Sequence, residues 1–260
     1  MFYDTHAHFD DEAFDADRDT LLPQIHEQGI SLMNNIGCDL PSSLASVKLA
    51  EQYPFVYAVV GHWPGHTAEM TEEILEQYRA LASHPKVVAI GEIGLDYHYE
   101  DTPRETQQYW FDRQLQLADE VNQPVVVHER EAHADGLKIV RKWADKVPGV
   151  FHCFSGSAEM AREIINMGWY VSFTGVVTFK NARRALEAVA AVPMERIMIE
   201  TDCPYMAPTP YRGGRNHSGY VPKVAEKIAE IKGLTTEEVA AITLENGKRF
   251  FRIPNQEGTL

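Results

Sequence analysis

Short apolar runs recur along the chain and alternate with longer segments in which apolar residues keep a helical spacing. Eight runs predict β-strands: Phe2–Thr5, Leu32–Ile36, Val56–Val60, Val87–Ile90, Pro124–Val127, Gly149–Phe151, Trp169–Phe173 and Ile197–Glu200. The segments between and after them predict helices: Arg18–Gln28, Ser42–Gln52, Thr71–Ser83, Arg104–Glu120, Asp135–Lys146, Ala158–Met167, Ala182–Val192, Val221–Ile231 and Thr236–Phe250. This alternation is typical of βαβ units and a parallel sheet.

Eight strands alternating with helices predict an α/β fold of the (β/α)8 TIM barrel type, with a doubly wound open sheet as the structural alternative. The chain has 260 residues, and no repeat, low-complexity tract or linker divides the series. We therefore expect residues 1–260 to form a single domain.

Composition narrows the class of protein. Hydrophobic residues make up 44% and charged residues 24%, which is typical of soluble globular proteins. The net charge of -14 argues against a protein that coats nucleic acid, but it leaves room for a local anion site. The absence of a signal-like N-terminus and of a membrane-length apolar stretch predicts a cytoplasmic protein without a membrane partner. No feature of the sequence indicates an obligate protein partner.

Metal-binding side chains stand at or just after the ends of the predicted strands. In a (β/α)8 barrel the functional side chains lie at the C-terminal ends of the strands. Five of the eight runs are followed there by a histidine or an acidic residue, and the six positions are His6, His8, Glu92, His128, His152 and Asp202. Taken singly, each has an ordinary structural explanation, such as a helix cap or a buried histidine. Their joint pattern predicts a metal site.

The residue types favour a pair of divalent cations. A carboxylate such as Glu92 can bridge two ions, and neutral imidazoles complete each coordination shell. Asp202 follows the last strand, where it can bind one ion and accept a proton from a water molecule. We therefore expect Glu92 and Asp202 to be catalytic. Such nitrogen and oxygen sites accept Mg²⁺, Mn²⁺ or Zn²⁺, and the sequence does not select among them.

Around these ligands the chain resembles the TatD family of metal-dependent hydrolases, a branch of the amidohydrolase-like barrels. The motifs that carry the resemblance are Asp4-Thr5-His6-Ala7-His8, Gly91-Glu92-Ile93-Gly94-Leu95-Asp96-Tyr97, Pro124-Val125-Val126-Val127-His128-Glu129-Arg130, His152-Cys153-Phe154-Ser155-Gly156, Ser172-Phe173-Thr174-Gly175, Thr178-Phe179-Lys180-Asn181 and Glu200-Thr201-Asp202-Cys203-Pro204-Tyr205. Their order and spacing are specific.

The resemblance implies a barrel with two divalent ions and hydrolysis of phosphodiester bonds. It assigns His6, His8, Glu92 and Asp202 to one ion, and Glu92, His128 and His152 to the other. It also implies a deoxyribonuclease that acts on single-stranded or frayed DNA ends, although some relatives are described as aminoacyl-tRNA deacylases.

Basic side chains near the predicted mouth of the barrel are candidate phosphate contacts. Arg130 comes two residues after His128, and Arg212 and Arg215 lie on the loop after the eighth strand. Planar guanidinium groups can bind a backbone phosphate through paired hydrogen bonds. Lys180 is a similar candidate on the seventh loop. Three tyrosines near the predicted mouth are candidates for stacking on unpaired bases: Tyr97, Tyr205 and Tyr211.

Two segments depart from the family pattern. Relatives usually carry Gly-x-His-Pro after the third strand, whereas this chain has Gly61-His62-Trp63-Pro64-Gly65-His66. Because a one-residue shift in an extended segment reverses the side-chain direction, His62 can miss the substrate and His66 can take its place. The last loop reads Arg215-Asn216-His217-Ser218, where relatives commonly continue Arg-Asn-Glu-Pro. Both departures lie outside the predicted metal ligands, so we expect them to affect substrate fit.

Three functions follow from these observations. The first is a divalent-metal-dependent deoxyribonuclease of the 3'-5' exonuclease type. The second is an amidohydrolase or an aminoacyl-ester hydrolase of the D-aminoacyl-tRNA deacylase type, because the same barrel and ligands serve that chemistry. The third is a non-catalytic metal-stabilised binding protein.

Overall fold

The computed structural model describes residues 1–99 and 101–254, and it contains eight parallel strands that pair in chain order from β1 to β8. The strands are β1 Phe2–Ala7, β2 Ile30–Ile36, β3 Val56–Val60, β4 Val87–Asp96, β5 Val125–Arg130, β6 Gly149–Phe151, β7 Tyr170–Phe173 and β8 Ile197–Ile199. The last strand meets the first through a parallel bridge between Ala7 and Cys203. The sheet therefore curls into a nearly closed barrel, which confirms the predicted (β/α)8 fold.

Helices cover the outside of the barrel. They are α1 Arg18–Glu27, α2 Leu40–Gln52, α3 Glu72–Leu81, α4 Arg104–Glu120, α5 His133–Val140, α6 Ala158–Asn166, α7 Arg183–Ala191, α8 Val221–Lys232 and α9 Thr236–Phe250. Several begin with side-chain caps. Thr235, for example, accepts a hydrogen bond from the Glu238 amide, and the Glu238 side chain bonds back to the Thr235 amide. Among the described residues no helix is both long and apolar enough to cross a membrane.

Alternating strand residues build two apolar cores. On β3, Val56, Ala58 and Val60 pack with the helices, whereas Tyr57 and Val59 belong to a second cluster. The second cluster consists mainly of strand residues, and the end of α9 completes it through Phe250 and Phe251. It therefore fills the barrel interior. Such alternation is the expected result of side chains pointing to opposite faces of each strand.

Three strands extend past their predicted ends: β1 reaches Ala7, and β4 and β5 continue further still. β4 continues to Asp96 and β5 to Arg130, and their pairing keeps Gly94 opposite His128. A side chain at Gly94 would overlap the His128 carbonyl oxygen, and the φ angle of Gly94 is +142°. Glycine therefore allows the two strands to stay paired beyond the apolar core. As a result, Glu92 and His128 lie within strands rather than on the following loops.

One predicted helix is too long. The expected segment Asp135–Lys146 is helical only as far as Val140, and turns follow. The Lys142 and Trp143 amides bond to carbonyl oxygens three residues earlier, at Ile139 and Val140. These tighter bonds replace the four-residue spacing of an α-helix and end α5 early.

Candidate metal centre

The six predicted metal ligands converge at the C-terminal end of the barrel. They come from β1 and the residues after it, from β4, from β5 and from the segments after β6 and β8, and we call them the ligand cluster: His6, His8, Glu92, His128, His152 and Asp202. Their convergence follows from the topology, because parallel strands that pair in chain order end at the same rim.

Four donor atoms form the first half of the ligand cluster. His6 Nε2 lies 3.1 Å from His8 Nε2 and 3.5 Å from both Glu92 Oε2 and Asp202 Oδ1. His8 Nε2 lies 3.3 Å from Asp202 Oδ1 and 3.8 Å from Glu92 Oε2. Ligands bound at about 2.0–2.2 Å to one ion are separated by roughly 3–3.5 Å. His6, His8 and Glu92 therefore present their donor atoms at about the spacing of a coordination shell, and Asp202 lies within 3.5 Å of the two histidine nitrogens.

Three donor atoms form the second half. Glu92 Oε1 lies 2.6 Å from His128 Nδ1 and 2.9 Å from His152 Nε2, and the two imidazole nitrogens are 3.2 Å apart. Glu92 thus presents one carboxylate oxygen to each half. A carboxylate shared in this way is the geometry expected of a bridging ligand.

The imidazole rings are oriented from outside the ligand cluster. His8 Nδ1 donates to the Ile36 carbonyl oxygen at 3.1 Å, and His128 Nε2 donates to Asp96 Oδ2 at 2.9 Å. When the imidazole is neutral, each bond places its proton on the outer nitrogen, so that the inner nitrogen can offer a lone pair to a metal ion. A carboxylate or carbonyl behind a histidine is the usual support of a metal-binding imidazole. The donor set therefore fits divalent metal ions.

Charges within the ligand cluster shift several pKa values. Burial alone would raise the pKa of Glu92, but the charge of His152 and hydrogen bonds with His128, His152 and His6 outweigh it and hold this pKa well below its ordinary value. Burial likewise opposes ionisation of Asp202, yet the His8 hydrogen bond and the neighbouring histidine charges lower its pKa to about 2. Both carboxylates are therefore ionised at neutral pH and available to cations.

Two further buried carboxylates support the rim. Glu200 accepts hydrogen bonds from the Cys153 amide and the Ser172 hydroxyl, both at 2.6 Å, and its Oε1 lies 3.4 Å from His152 Nδ1. Asp4 accepts from the amide and the hydroxyl of Thr201, at 2.9 and 2.6 Å. Burial raises the pKa of Asp4 to about 7 despite these hydrogen bonds. The two acids connect β1, β6, β7 and β8 beneath the ligand cluster.

A cleft of about 1220 Å³ opens above the ligand cluster. Six side chains that line it lie above the metal-binding atoms, and we call them the cleft mouth: Trp63, His66, Tyr99, Arg130, Arg183 and Arg184. The volume is large enough for an oligomeric substrate rather than for a small ligand alone. The three arginines bring guanidinium groups to the mouth of a cleft whose lining also includes eight acidic residues.

The structure brings only some of the predicted substrate contacts to the cleft. Arg130 and His66 line it. His62 is buried outside it, where its Nε2 donates to the His66 carbonyl oxygen at 3.0 Å and its Nδ1 lies 2.9 Å from the Tyr78 hydroxyl. Burial lowers the pKa of His62, so this ring stays neutral. These hydrogen bonds anchor the loop after β3. Contact between His62 and the substrate remains a prediction.

The basic residues of the later loops lie outside the cleft. Arg212 places its guanidinium 4.1 Å from the ring centre of Phe179, and Arg215 bonds to Asp17 and to the Ala13 carbonyl oxygen. Lys180 is exposed on the segment after β7. These arginines are held by protein groups in the structure, so a substrate would have to displace those contacts.

The three candidate tyrosines are separated. Tyr205 lines the cleft, and its hydroxyl donates to Asp11. Tyr97 lies under the Arg104 guanidinium, while Tyr211 stacks on Tyr220 with ring centres 4.0 Å apart. Only Tyr205 of the three is placed where it can meet a substrate.

Sequence reasoning gave no role to several residues that the structure places here. Asp96 and Glu200 stand within recognised motifs, but their support of His128 and His152 depends on contacts between different strands. Arg183 and Arg184 lie at the start of α7, where the sequence shows only an ordinary charged helix end. Tyr99 follows Tyr97 by two residues and gave no separate signal.

Known proteins resemble this chain in both sequence and fold. Residues 3–252 match the family described as TatD related DNase. The chain is 45% identical over 254 residues to the uncharacterized metal-dependent hydrolase YabD of Bacillus subtilis (strain 168), which covers 97% of this chain and 100% of that protein.

Two further proteins extend the comparison. The chain is 35% identical over 249 residues to the 3'-5' ssDNA/RNA exonuclease TatD of Pantoea vagans (strain C9-1), covering 92% of this chain and 95% of that protein. The crystal structure of YJJV, a TatD homologue from Escherichia coli K12, is similar with a TM-score of 0.91 and 29% identity, and the match covers 97% and 98% of the two chains.

Proposed function

This chain belongs to the TatD family of metal-dependent hydrolases, and we propose that it is a phosphodiesterase that removes nucleotides from the 3' end of single-stranded or frayed DNA. We start from the family membership and the dependence on metal. We propose the nucleic-acid substrate, the direction of digestion and the assignment of residues 1–260 to one catalytic domain. Support for the substrate comes from relatives named as 3'-5' ssDNA/RNA exonucleases.

The observation that carries the proposal is the shared position of Glu92 between two sets of donor atoms. We assign His6, His8, Glu92 and Asp202 to one divalent ion and Glu92, His128 and His152 to a second, with Mg²⁺, Mn²⁺ or Zn²⁺ as candidates. Bound at such a site, divalent ions lower the pKa of water and stabilise the charged oxygens of a phosphoryl displacement.

Asp202 is the better placed of the two catalytic carboxylates to accept a proton. Its side chain keeps 14% of its surface accessible, compared with 5% for Glu92. Four imidazoles lie within 3.8 Å of the Glu92 carboxylate, whereas two lie within 3.5 Å of Asp202. In our assignment Glu92 would therefore help to hold both ions. Asp202 would accept the proton of the attacking water.

The cleft mouth supplies guanidinium groups that can bind the phosphates of a strand. Arg130, Arg183 and Arg184 border the same cleft in a chain whose net charge is -14. Because eight acidic residues also line the cleft, bound divalent ions would have to contribute much of the attraction for phosphate. We keep Arg130 and His66 as substrate contacts and add the two arginines of α7.

The direct test is digestion of a single-stranded oligonucleotide labelled at its 5' or its 3' end, with Mg²⁺, Mn²⁺ or Zn²⁺. A 3'-5' exonuclease shortens the 5'-labelled strand progressively and releases the 3' label as a mononucleotide. Glu92→Gln and Asp202→Asn should each lower kcat by about a hundredfold to a thousandfold. Glu76→Gln, an exposed acid on α3, is the matched control and should leave the rate unchanged.

Failure of the wild-type protein to shorten any strand with any of these metals would overturn the proposal. Full activity in Glu92→Gln, or after exhaustive chelation, would overturn the assignment of the two ions. The same preparations should be assayed on cyclic amides and D-aminoacyl-tRNA, because the barrel and ligand types also serve those reactions. Hydrolysis of those substrates alone would establish the second function.

A further inference from the structure

Trp63 lies on the segment after β3, and its indole lines the cleft. The indole centre lies 5.8 Å from the His128 ring and 6.1 Å from the Tyr99 ring, with edge-to-face angles of 76° and 63°. A large aromatic face therefore stands directly beside one of the proposed metal ligands.

The preceding residue anchors the loop so that the indole keeps this direction. The His62 amide donates to Gln114 Oε1 at 2.9 Å, and Gln114 Nε2 donates back to the His62 carbonyl oxygen at 3.1 Å. The Trp63 amide donates to the Cys38 carbonyl oxygen at 2.9 Å. Because neighbouring residues in an extended segment point in opposite directions, a buried His62 places Trp63 toward the cleft.

Gly65 makes room for the indole. A Cβ atom at Gly65 would overlap the indole ring, so the ring lies against bare backbone. The Gly65 carbonyl oxygen accepts a hydrogen bond of 2.6 Å from the buried Thr102 hydroxyl, which fixes this turn. Trp63 is thus ordered before any ligand arrives, and binding costs little additional side-chain entropy.

Tyr99 and Arg130 stand beside Trp63. Tyr99 is 47% exposed, and the Arg130 guanidinium lies 5.3 Å from the centre of its ring. Two aromatic rings next to a cation form a surface suited to an unpaired base and its adjoining phosphate. Stacking of bases on aromatic side chains is the usual means by which proteins hold single strands.

We propose that Trp63 is a specificity-determining residue that stacks on one nucleobase of a single-stranded substrate, while Arg130 binds an adjoining phosphate. This inference rests on the proposed nuclease function and deepens it. The enzyme therefore requires a base, and not only a phosphodiester, at one defined position of the strand.

The test compares intact oligonucleotides with oligonucleotides that carry a single abasic nucleotide at successive positions near the 3' end. For the intact strand, Trp63→Leu should lower kcat/KM by roughly tenfold, and Trp63→Phe should retain most of the activity because it keeps an aromatic face. At one abasic position the wild-type protein should itself be slow, and Trp63→Leu should cause no further loss. Tyr109→Leu, which removes an exposed aromatic residue of α4, is the control.

Equal loss by Trp63→Leu on intact strands and at every abasic position would overturn the proposal and leave Trp63 as a packing residue for His128. Binding provides a second readout that does not depend on turnover. A deoxythymidine oligonucleotide added to metal-free protein should quench tryptophan fluorescence, and Trp63→Phe should lose that quenching. Retained quenching in Trp63→Phe also contradicts stacking. A wild-type protein that shortens no strand fails the proposed function instead, so the two failures are distinguishable.

Discussion

The ligand cluster and the cleft mouth differ in how firmly the fold sets their side chains. Within the ligand cluster, His6 is fully buried on β1 and Glu92 is 3% exposed on β4, which pairs with strands on both sides. At the cleft mouth, the Arg183 side chain is 88% exposed and makes an ion pair with Glu187. Strand ends position the ligand cluster, whereas loops and helix ends position most of the cleft mouth, apart from Arg130 at the end of β5.

The difference separates the reaction from the choice of substrate. Converging carboxylate and imidazole groups need positions accurate to a fraction of an ångström, and strand ends set such positions more precisely than long loops do. Substrate contacts can change with the loops while the barrel stays the same. The chain shows both conditions, because its ligand cluster stands at or next to strand ends and Trp63 lies on the segment after β3.

Replacement of Asp96 should have the largest effect, because Asp96 orients His128 within the ligand cluster. It is buried, and the hydrogen bond it accepts from His128 Nε2 leaves Nδ1 directed at Glu92. In Asp96→Asn an amide can face the ring and favour the other tautomer. We expect metal affinity to fall by about ten- to a hundredfold, measured by calorimetric titration of Mn²⁺ or Zn²⁺ into chelator-treated protein.

Asp135→Asn is the matched control for this measurement. Asp135 is a neighbouring carboxylate that accepts a hydrogen bond of 2.9 Å from Tyr97 and touches no member of the ligand cluster. Its replacement should leave metal affinity unchanged. If Asp96→Asn binds metal as tightly as this control, the orientation of His128 is set by packing alone.

Arg130 tests the cleft mouth in the same way. We expect Arg130→Ala to raise KM for a single-stranded oligonucleotide by roughly three- to tenfold with little change in kcat, because the lost phosphate contact is partly exposed. The salt dependence of binding should weaken by about one phosphate. Steady-state kinetics at several salt concentrations measures both effects.

Arg212→Ala is the comparison for Arg130, since its guanidinium packs on Phe179 outside the cleft. A similar rise in KM for both variants would mean that the strand extends across the loop after β8. In that case the cleft mouth is wider than the residues that line it in the structure.

The contrast between the two regions also explains which features the sequence predicted. The strand order and the ligand cluster were predictable because every ligand stands at or just after the end of an apolar run, so local pattern and barrel topology suffice. The supporting role of Asp96 was not, because Asp96 and His128 are 32 residues apart in the chain and meet only through the pairing of β4 with β5. Long-range contacts of this kind leave no periodic signal.

The sequence predicted only part of the arrangement of the segment after β3. The shift of one residue correctly suggested that His62 and Trp63 face opposite directions. It did not show that His62 would bond to Gln114 and to the His66 carbonyl oxygen, because those partners lie on α4 and on the following turn. The predicted length of α5 was also wrong. Residues 141–146 keep a helical pattern of apolar positions, but the structure forms successive turns there.

The smallest expected effect concerns Arg215, a predicted substrate contact that the structure pairs with Asp17 instead. Both side chains are more than a third exposed, so we expect Arg215→Ala to lower the free energy of unfolding by only about 0.2–1 kcal/mol at neutral pH. Nuclease activity should stay within about twofold of wild type if Arg215 does not reach the substrate.

The pH dependence of the free energy of unfolding distinguishes loss of the Arg215–Asp17 ion pair from other effects of the substitution. The Arg215 hydrogen bond lowers the pKa of Asp17 in the folded protein. The pair therefore stabilises the fold above the ordinary Asp pKa of about 3.9, and this contribution disappears as the pH falls through the lowered folded-state value. Urea unfolding at a series of pH values should show the difference between Arg215→Ala and wild type shrinking in acid. A large fall in activity at neutral pH without a comparable change in stability would instead assign Arg215 to the substrate, and the loop after β8 would join the cleft mouth.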